Sequence, residues 1–183
     1  MGRKKYKKDF VDLRGRWIDN QRLLHEIIDL ACSGSDWTVS LKPLLADDSY
    51  NNVRKVNSFQ YPPDLRFAKL DGFDNENVQL KHANLTKATA FRSKFNNIKL
   101  HNTLASDTKW NKSQMKNAVF DSCDLHHSNF SNVDLSNAAF INCKMNHTYF
   151  RNATLKGAKF IGCDLRPPLS VINEAKTQIA HSS

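Results

Sequence analysis

The chain has few cysteines, glycines and prolines, and it has no long apolar run. Its 183 residues include 4 cysteines, 6 glycines and 5 prolines. No apolar stretch approaches the ~18 residues of a membrane-spanning helix, and no signal-peptide core follows Met1. Four cysteines are too few for a disulfide scaffold. We therefore expect a reduced, cytoplasmic protein without a membrane span.

The sequence also lacks the residue spacings that are typical of enzymes. No Ser/His/Asp order, CxxC pair, HExxH, P-loop or GxGxxG segment is present. These spacings bring nucleophiles, metal ligands or phosphate-binding amides together in other proteins. We therefore predict a protein that is not an enzyme and that uses no cofactor.

A repeat of five residues runs from Pro63 to Leu165. A large apolar residue recurs at every fifth position, a small residue precedes it by two, and Asn or Gly often follows it by two. This period matches neither the about 3.6 residues of a helical turn nor the alternation of a flat strand, so the chain must bend regularly. Asn and Gly tolerate the positive φ of a type II turn. The pattern predicts short extended sides joined by corners.

Units such as CDLHH, VDLSN and ANLTK resemble the A-(D/N)-L-x-x signature of the pentapeptide-repeat family. The resemblance implies a mainly β fold, a right-handed four-sided β-solenoid with four units per coil. Four units of five residues per coil require equivalent residues to recur every twenty positions. They do so at the small position of the repeat, in Cys123, Cys143 and Cys163, and at the large position, in Phe120, Phe140 and Phe160. The twenty-one units then predict about five coils.

The flanking segments are predicted to close the solenoid. We divide the chain into a basic arm (1–16), a small α-helical N-terminal cap (17–60), the solenoid (61–165) and a C-terminal capping segment with a tail (166–183). An apolar stripe predicts a helix in the N-terminal cap: Leu23, Leu24, Ile27, Ile28 and Ala31. Two further short helices are predicted, one around residues 41–45 and one that carries Leu169, Ile172, Ala175 and Ile179. Such caps cover the apolar cross-section and the unpaired strand edges.

Candidate binding residues must lie on outward positions, because packing occupies the inward ones. Asp107, His127 and His147 share one outward column, and two imidazoles with a carboxylate could hold Zn²⁺ at about 2.0 to 2.2 Å. The alternative is an exposed polar column that binds no metal, and this is the one we expect.

A second candidate is an apolar patch. It consists of Val119, Ala139, Ile141 and Ile161, which fall on outward positions of one face. Exposed apolar patches usually mark contacts. A protein partner, a homodimer and cover by the C-terminal segment all remain open, and we favour one of the first two.

A third candidate is the positive charge, which totals +9 and is unevenly distributed. Candidate polyanion-binding residues lie in the arm and in a central basic band: Lys4, Lys5, Lys7 and Lys8, then Arg92, Lys94, Lys99, Lys109, Lys112 and Lys116. Phe91 is the one aromatic residue expected to be exposed beside the band. Such a surface would bind nucleic acid without sequence preference and with strong salt dependence. A solubilising lysine face is the alternative.

These observations lead to a non-catalytic interaction scaffold that binds a protein partner through its solenoid faces. Binding of nucleic acid or another polyanion is the alternative function. The family resemblance also implies a third function, since quinolone-resistance-type relatives bind type II topoisomerases such as gyrase through an acidic, DNA-like surface. The repeat region here has fourteen basic against nine acidic residues, and this positive charge disfavours that function.

Overall fold

The computed structural model describes Trp17 and residues 21–33, 65–165 and 178–180. It contains a helix, α1 (Gln21–Ser33), and six strands: β1 (Gln79–Lys81), β2 (Lys99–His101), β3 (Val119–Asp121), β4 (Ala139–Ile141), β5 (Lys159–Ile161) and β6 (Gln178–Ala180). No helix in this part of the chain is long and apolar enough to cross a membrane. The basic arm and the helix predicted around residues 41–45 lie outside the described residues.

The strands form one parallel sheet in sequence order. From β1 to β5 each residue pairs with the residue twenty positions later, as Leu80 does with Leu100 and Phe120 with Phe140. On the other three sides of the solenoid, isolated parallel bridges with the same offset join consecutive coils, for example between Lys69 and Thr89. One turn therefore contains four pentapeptide units, and the predicted β-solenoid is confirmed.

The number of turns is slightly smaller than predicted. Four intervals of twenty residues separate β1 from β5, with partial turns before and after them. Five stacked strands enclose only four intervals, so the solenoid has about four complete turns in place of the expected five coils. We number its sides in chain order by the inward residue at their centre: Leu65 for the first face, Leu70 for the second, Asn75 for the third and Leu80 for the strand face. Each face runs from one position before this residue to the corner two positions after it, and it recurs every twenty residues.

The corners of the coil have left-handed backbone geometry. The residue two positions after each large residue has a φ between 46° and 73°, from Phe67 to Gly162. Many of these corners are closed by a turn hydrogen bond, such as the 2.8 Å bond from the Ala88 amide to the Leu85 carbonyl. Asn or Gly occupies eleven of the twenty corners, in agreement with the sequence pattern. The coil imposes the same conformation on other residue types, including Phe67 and Lys112.

The core is a stack of like residues. Phe140 lies between Phe120 and Phe160, with ring centroids 4.7 and 4.9 Å apart and rings within 3° of parallel. This distance matches the ~4.8 Å spacing of neighbouring strands. Phe130 and Phe150 form a second stack, which meets Phe140 edge to face at 5.8 Å. The large residues from Phe120 to Phe160 therefore pack in register along the axis.

The cysteines belong to this core. Cys123 and Cys143 are buried free thiols, and Cys163 is half-buried. The Cys143 thiol donates to the carbonyl oxygens of Phe120 and Ile141 at 3.3 Å each. The hydrogen bond with Cys123, together with burial, raises the pKa of Cys143 to about 12. The hydrogen bond with Cys143 and burial also raise the pKa of Cys163. Both thiols therefore stay protonated at neutral pH, where they bond to backbone carbonyls.

Helix α1 packs against the first coil. Its apolar stripe is buried in the same core as Leu65 and includes Leu24, Ile27, Ile28 and Ala31. The Trp17 indole donates to the Arg66 carbonyl at 2.9 Å. Asn75, which interrupts the large apolar column, donates from Nδ2 to the Asp29 carboxylate at 3.0 Å. The exception in the repeat thus lies where the helix meets the solenoid.

The C-terminal segment differs from its prediction. Ile179 lies in β6, which pairs in parallel with β5 and places Ile179 opposite Phe160. The predicted helix is therefore wrong at residues 178–180, and the other residues assigned to it lie outside the described part of the chain. The offset is nineteen residues here, because this segment does not follow the five-residue period.

The phenylalanine stack should carry much of the stability. We expect Phe140→Ala to lower the free energy of unfolding by about 3 to 5 kcal/mol, since it removes two face-to-face and two edge-to-face contacts and leaves a cavity. Phe140→Leu, which nearly preserves the volume, should cost about 1.5 kcal/mol or less. Urea unfolding measures both values, and equal losses for the two variants would contradict a stacked core.

The corner geometry gives a second prediction, at Asn132. This exposed residue has φ 59°, and no side-chain hydrogen bond to it is present within residues 65–165. Asn132→Ala should cost about 1 to 2 kcal/mol because a Cβ without a polar group disfavours the left-handed region, whereas Asn132→Gly should cost clearly less because glycine adopts positive φ readily. The comparison uses the same urea titration. A more stable alanine variant would be incompatible with this backbone.

Candidate functional site

The apolar patch lies on the strand face. Val119 pairs with Ala139 in one outward column, and Ile141 pairs with Ile161 in the other. All four side chains are half-buried. Between the columns lie the inward phenylalanines of the same strands, so the patch lies directly over the phenylalanine stack of the core. The sheet therefore brings together the four residues that the sequence grouped.

The basic band is divided among three faces. Arg92, Lys109 and Lys112 lie on the second face, Lys94 and Lys116 on the third, and Lys99 on the strand face. On the third face the lysines are paired: Lys94 Nζ is 2.6 Å from Asp74, and Lys116 Nζ is 3.5 Å from Asp134. The hydrogen bond with Asp74 raises the pKa of Lys94. Carboxylates therefore neutralise the charge of the two basic-band lysines that lie on this face.

The second face keeps its positive charge. Its outward positions hold five basic residues, Lys69, Arg92, Lys109, Lys112 and Arg151, against a single carboxylate, Asp71. The Arg92 guanidinium and the Lys112 ammonium lie 5.1 and 5.6 Å from the centre of the Phe91 ring. Phe91 is 36% exposed, and Tyr149 on the same face is 51% exposed. Cations and exposed rings are therefore combined on this face.

The histidine column forms a stack. The rings of His127 and His147 are parallel, with centroids 4.9 Å apart. Among the described residues, no group of three His, Cys, Asp or Glu side chains is arranged to hold a metal ion. The neighbouring His126 bonds to Asp124 at 2.6 Å. Asp107 and His127 both line an open groove at the corner between the first and second faces.

This corner groove has a volume of about 580 Å³. One wall is the corner column of the first face, with Phe67, Lys87, Asp107 and His127. The other wall is the first outward column of the second face, with Lys69, Thr89, Lys109, Asn129 and Tyr149. The two walls run side by side along the axis because each column advances by one coil every twenty residues.

Sequence reasoning missed most of this groove. It identified Lys109 for its charge and Asp107 and His127 for their shared column, but it did not connect the two sets or include Lys69 and Tyr149. A signal was available, since positions two residues apart across a corner, such as 87 and 89 or 107 and 109, face each other in every coil. Comparing neighbouring columns would have revealed the groove.

Comparison with known families supports the repeat assignment. The family model described as "Pentapeptide repeat region" matches residues 113–168. A search among curated proteins found no match.

Solved structures with the same fold are also known. The chain is similar to a pentapeptide repeat protein from the thylakoid lumen of Arabidopsis thaliana, with a TM-score of 0.51 and 19% identity over 62% of this chain and 79% of that one. HetL, a pentapeptide repeat protein from Nostoc sp. strain PCC 7120, gives a TM-score of 0.34 and 22% identity over 56% of this chain and 51% of that one. The plasmid-mediated fluoroquinolone resistance protein QnrB1 gives a TM-score of 0.35 and 13% identity over 53% of this chain and 57% of that one. At these identities the likeness concerns the fold alone. The family match begins at Ser113 and the same twenty-residue register extends back to Leu65, so residues 65–165 form a pentapeptide-repeat β-solenoid.

Proposed function

We propose that the protein is a non-catalytic interaction scaffold that binds a protein partner through the strand face. The observation that carries this proposal is the apolar patch of Val119, Ala139, Ile141 and Ile161 on adjacent strands. Contiguous apolar surface on a water-exposed face favours association, because burial removes it from water. A second copy of the chain is one partner that would satisfy the same chemistry.

The rigidity of the solenoid supports this role. The patch side chains project from strands whose inward phenylalanines are stacked, so few backbone or side-chain rotations must be ordered on binding. Lys99 and Lys159 lie next to the patch in the column of Val119 and Ala139, while Asp121 lies in the column of Ile141. This polar rim suits a partner with an apolar centre and an acidic edge.

The patch gives a direct prediction. Ile141→Lys should reduce recovery of a bound protein from the native host about 10-fold or more, since a charge would enter the centre of the contact. Leu104→Lys is the matched control, because Leu104 is an exposed apolar residue (44%) on the first face. If the partner is a second copy, sedimentation should show a dimer for the wild type and the control, and a monomer for Ile141→Lys. Equal recovery and equal oligomeric state for all three proteins would refute the proposal.

A second candidate function is binding to nucleic acid or another polyanion through the second face. The observation that favours it is the pairing of Arg92 and Lys112 with the exposed Phe91 ring on a face with little negative charge. Basic side chains neutralise phosphates, and an exposed ring can stack on bases.

Salt-dependent gel shifts with duplex DNA and RNA test this second function. Replacing Arg92 and Lys112 with Gln should lower the slope of log K against log salt by about 1.8, at about 0.9 per lost phosphate contact on DNA. The matched control replaces Lys94 and Lys116 with Gln, since these lysines are paired with Asp74 and Asp134. No shift at low salt, or equal effects of the two double variants, would exclude binding by the second face.

Binding to gyrase or another topoisomerase is the least supported alternative. The fold is shared with a fluoroquinolone resistance protein, but a basic second face would be repelled by a basic DNA-binding surface. A cytoplasmic location forms part of our proposal and is supported by the free thiols Cys123, Cys143 and Cys163.

A further inference from the structure

We propose that the corner groove between the first and second faces binds a ribonucleoside di- or triphosphate. This site is distinct from the strand-face patch, and it stands whether or not the patch binds a protein. The groove volume of about 580 Å³ lies within the range of small-ligand sites, roughly 300 to 1,000 Å³. From Lys69 to Tyr149 its second-face wall spans four coil spacings, roughly 19 Å at ~4.8 Å each.

The lysines and the exposed aromatic ring lie at opposite ends of the groove, since Phe67, at the lysine end, is only 8% exposed. Lys69, Lys87 and Lys109 come from three consecutive coils at one end, and His127, Asn129 and Tyr149 come from the next two coils at the other end. A nucleotide has the same polarity, with anionic phosphates at one end and a planar base at the other. The order of the residues along the axis therefore fits a nucleotide better than a uniform polyanion.

The lysine end can hold phosphates. Lys69 and Lys109 are exposed, and within residues 65–165 no carboxylate lies within ion-pair distance of either. Lys87 approaches from the opposite wall, with Nζ 6.0 Å from the centre of the Phe67 ring. Lys69 and Lys109 together can neutralise a chain of two or three phosphates, for which one lysine would be insufficient.

The middle and the far end can hold the ribose and the base. Asp107 lies in the same coil as Lys109 and one coil before His127, and its carboxylate can accept hydrogen bonds from ribose hydroxyls. Asn129 accepts a 2.9 Å hydrogen bond from the Ser131 amide through Oδ1, so its Nδ2 remains available to donate to a base. The half-exposed Tyr149 ring provides a surface on which a base can stack.

The proposal is tested by calorimetric titration of the full chain with ATP, ADP, AMP, adenosine and inorganic tripolyphosphate, without divalent cations. We expect affinity to decrease from ATP to ADP to AMP, and adenosine to bind least. Tyr149→Ala should weaken ATP binding about 10-fold and leave tripolyphosphate binding unchanged, because stacking acts on the base alone. Replacing Lys69 and Lys109 with Gln should weaken the binding of both ATP and tripolyphosphate about 10-fold or more.

Two control variants lie on the same face but outside the groove. Phe91→Ala matches Tyr149→Ala as the loss of an exposed ring, and Lys112→Gln matches the lysine changes. Both should retain wild-type affinity for ATP. The proposal is overturned if ATP does not bind, if Tyr149→Ala weakens ATP and tripolyphosphate equally, or if the controls lose as much affinity as the groove variants. Tighter binding of single-stranded oligonucleotides than of ATP would also overturn it, in favour of a nucleic-acid site.

Discussion

The whole structure depends on parallel pairing of each residue with its equivalent one coil later. This pairing fixes the twenty-residue register, and it stacks Phe on Phe, thiol on thiol and Asn on Asn. The Asn117 side chain donates to Asn97 at 3.1 Å, for example, and Asn137 repeats the contact with Asn117 at 3.5 Å. Because each coil is hydrogen-bonded to the coil before it and the coil after it, a change in one coil also affects both of its neighbours. The left-handed corners are kept by the same pairing, even where the residue is neither Asn nor Gly.

This architecture moves any binding chemistry to the outside. Inward positions are occupied by the apolar columns and by small residues that bond backbone carbonyls, so ligands can meet only the outward columns and the corners. The outward faces then differ through their charge pairing. On the third face Asp74 and Asp134 compensate Lys94 and Lys116, whereas the second face has one carboxylate for five basic residues. One rigid scaffold thereby presents an apolar strand face, a basic second face and a polar groove at the corner between the first and second faces.

Particular residues show how far the candidate sites could be predicted. The patch of Val119, Ala139, Ile141 and Ile161 follows from the period alone, since all four residues belong to one sheet in register. The ion pair between Lys94 and Asp74 joins residues twenty positions apart and could have been recognised in the same way. The groove could not be found by stacking within columns, because its walls belong to different faces. Ile179 was assigned to a helix, but it lies in β6, which pairs with the open edge of β5. The spacing of apolar residues indicates which side chains are buried, and it does not indicate that a strand edge is available for pairing.

The sequence by itself determined the solenoid, its four units per turn, the positions of its corners, the core columns and the helical stripe of α1. These features repeat, and each repetition strengthens the same local preference for an inward or an outward side chain. Only the tertiary structure decided which lysines are neutralised, how Asn75 joins the helix to the first coil, and that Lys69, Asp107 and Tyr149 share one groove. Such relations depend on distances between columns and between side-chain ends, and a period along the chain does not encode them.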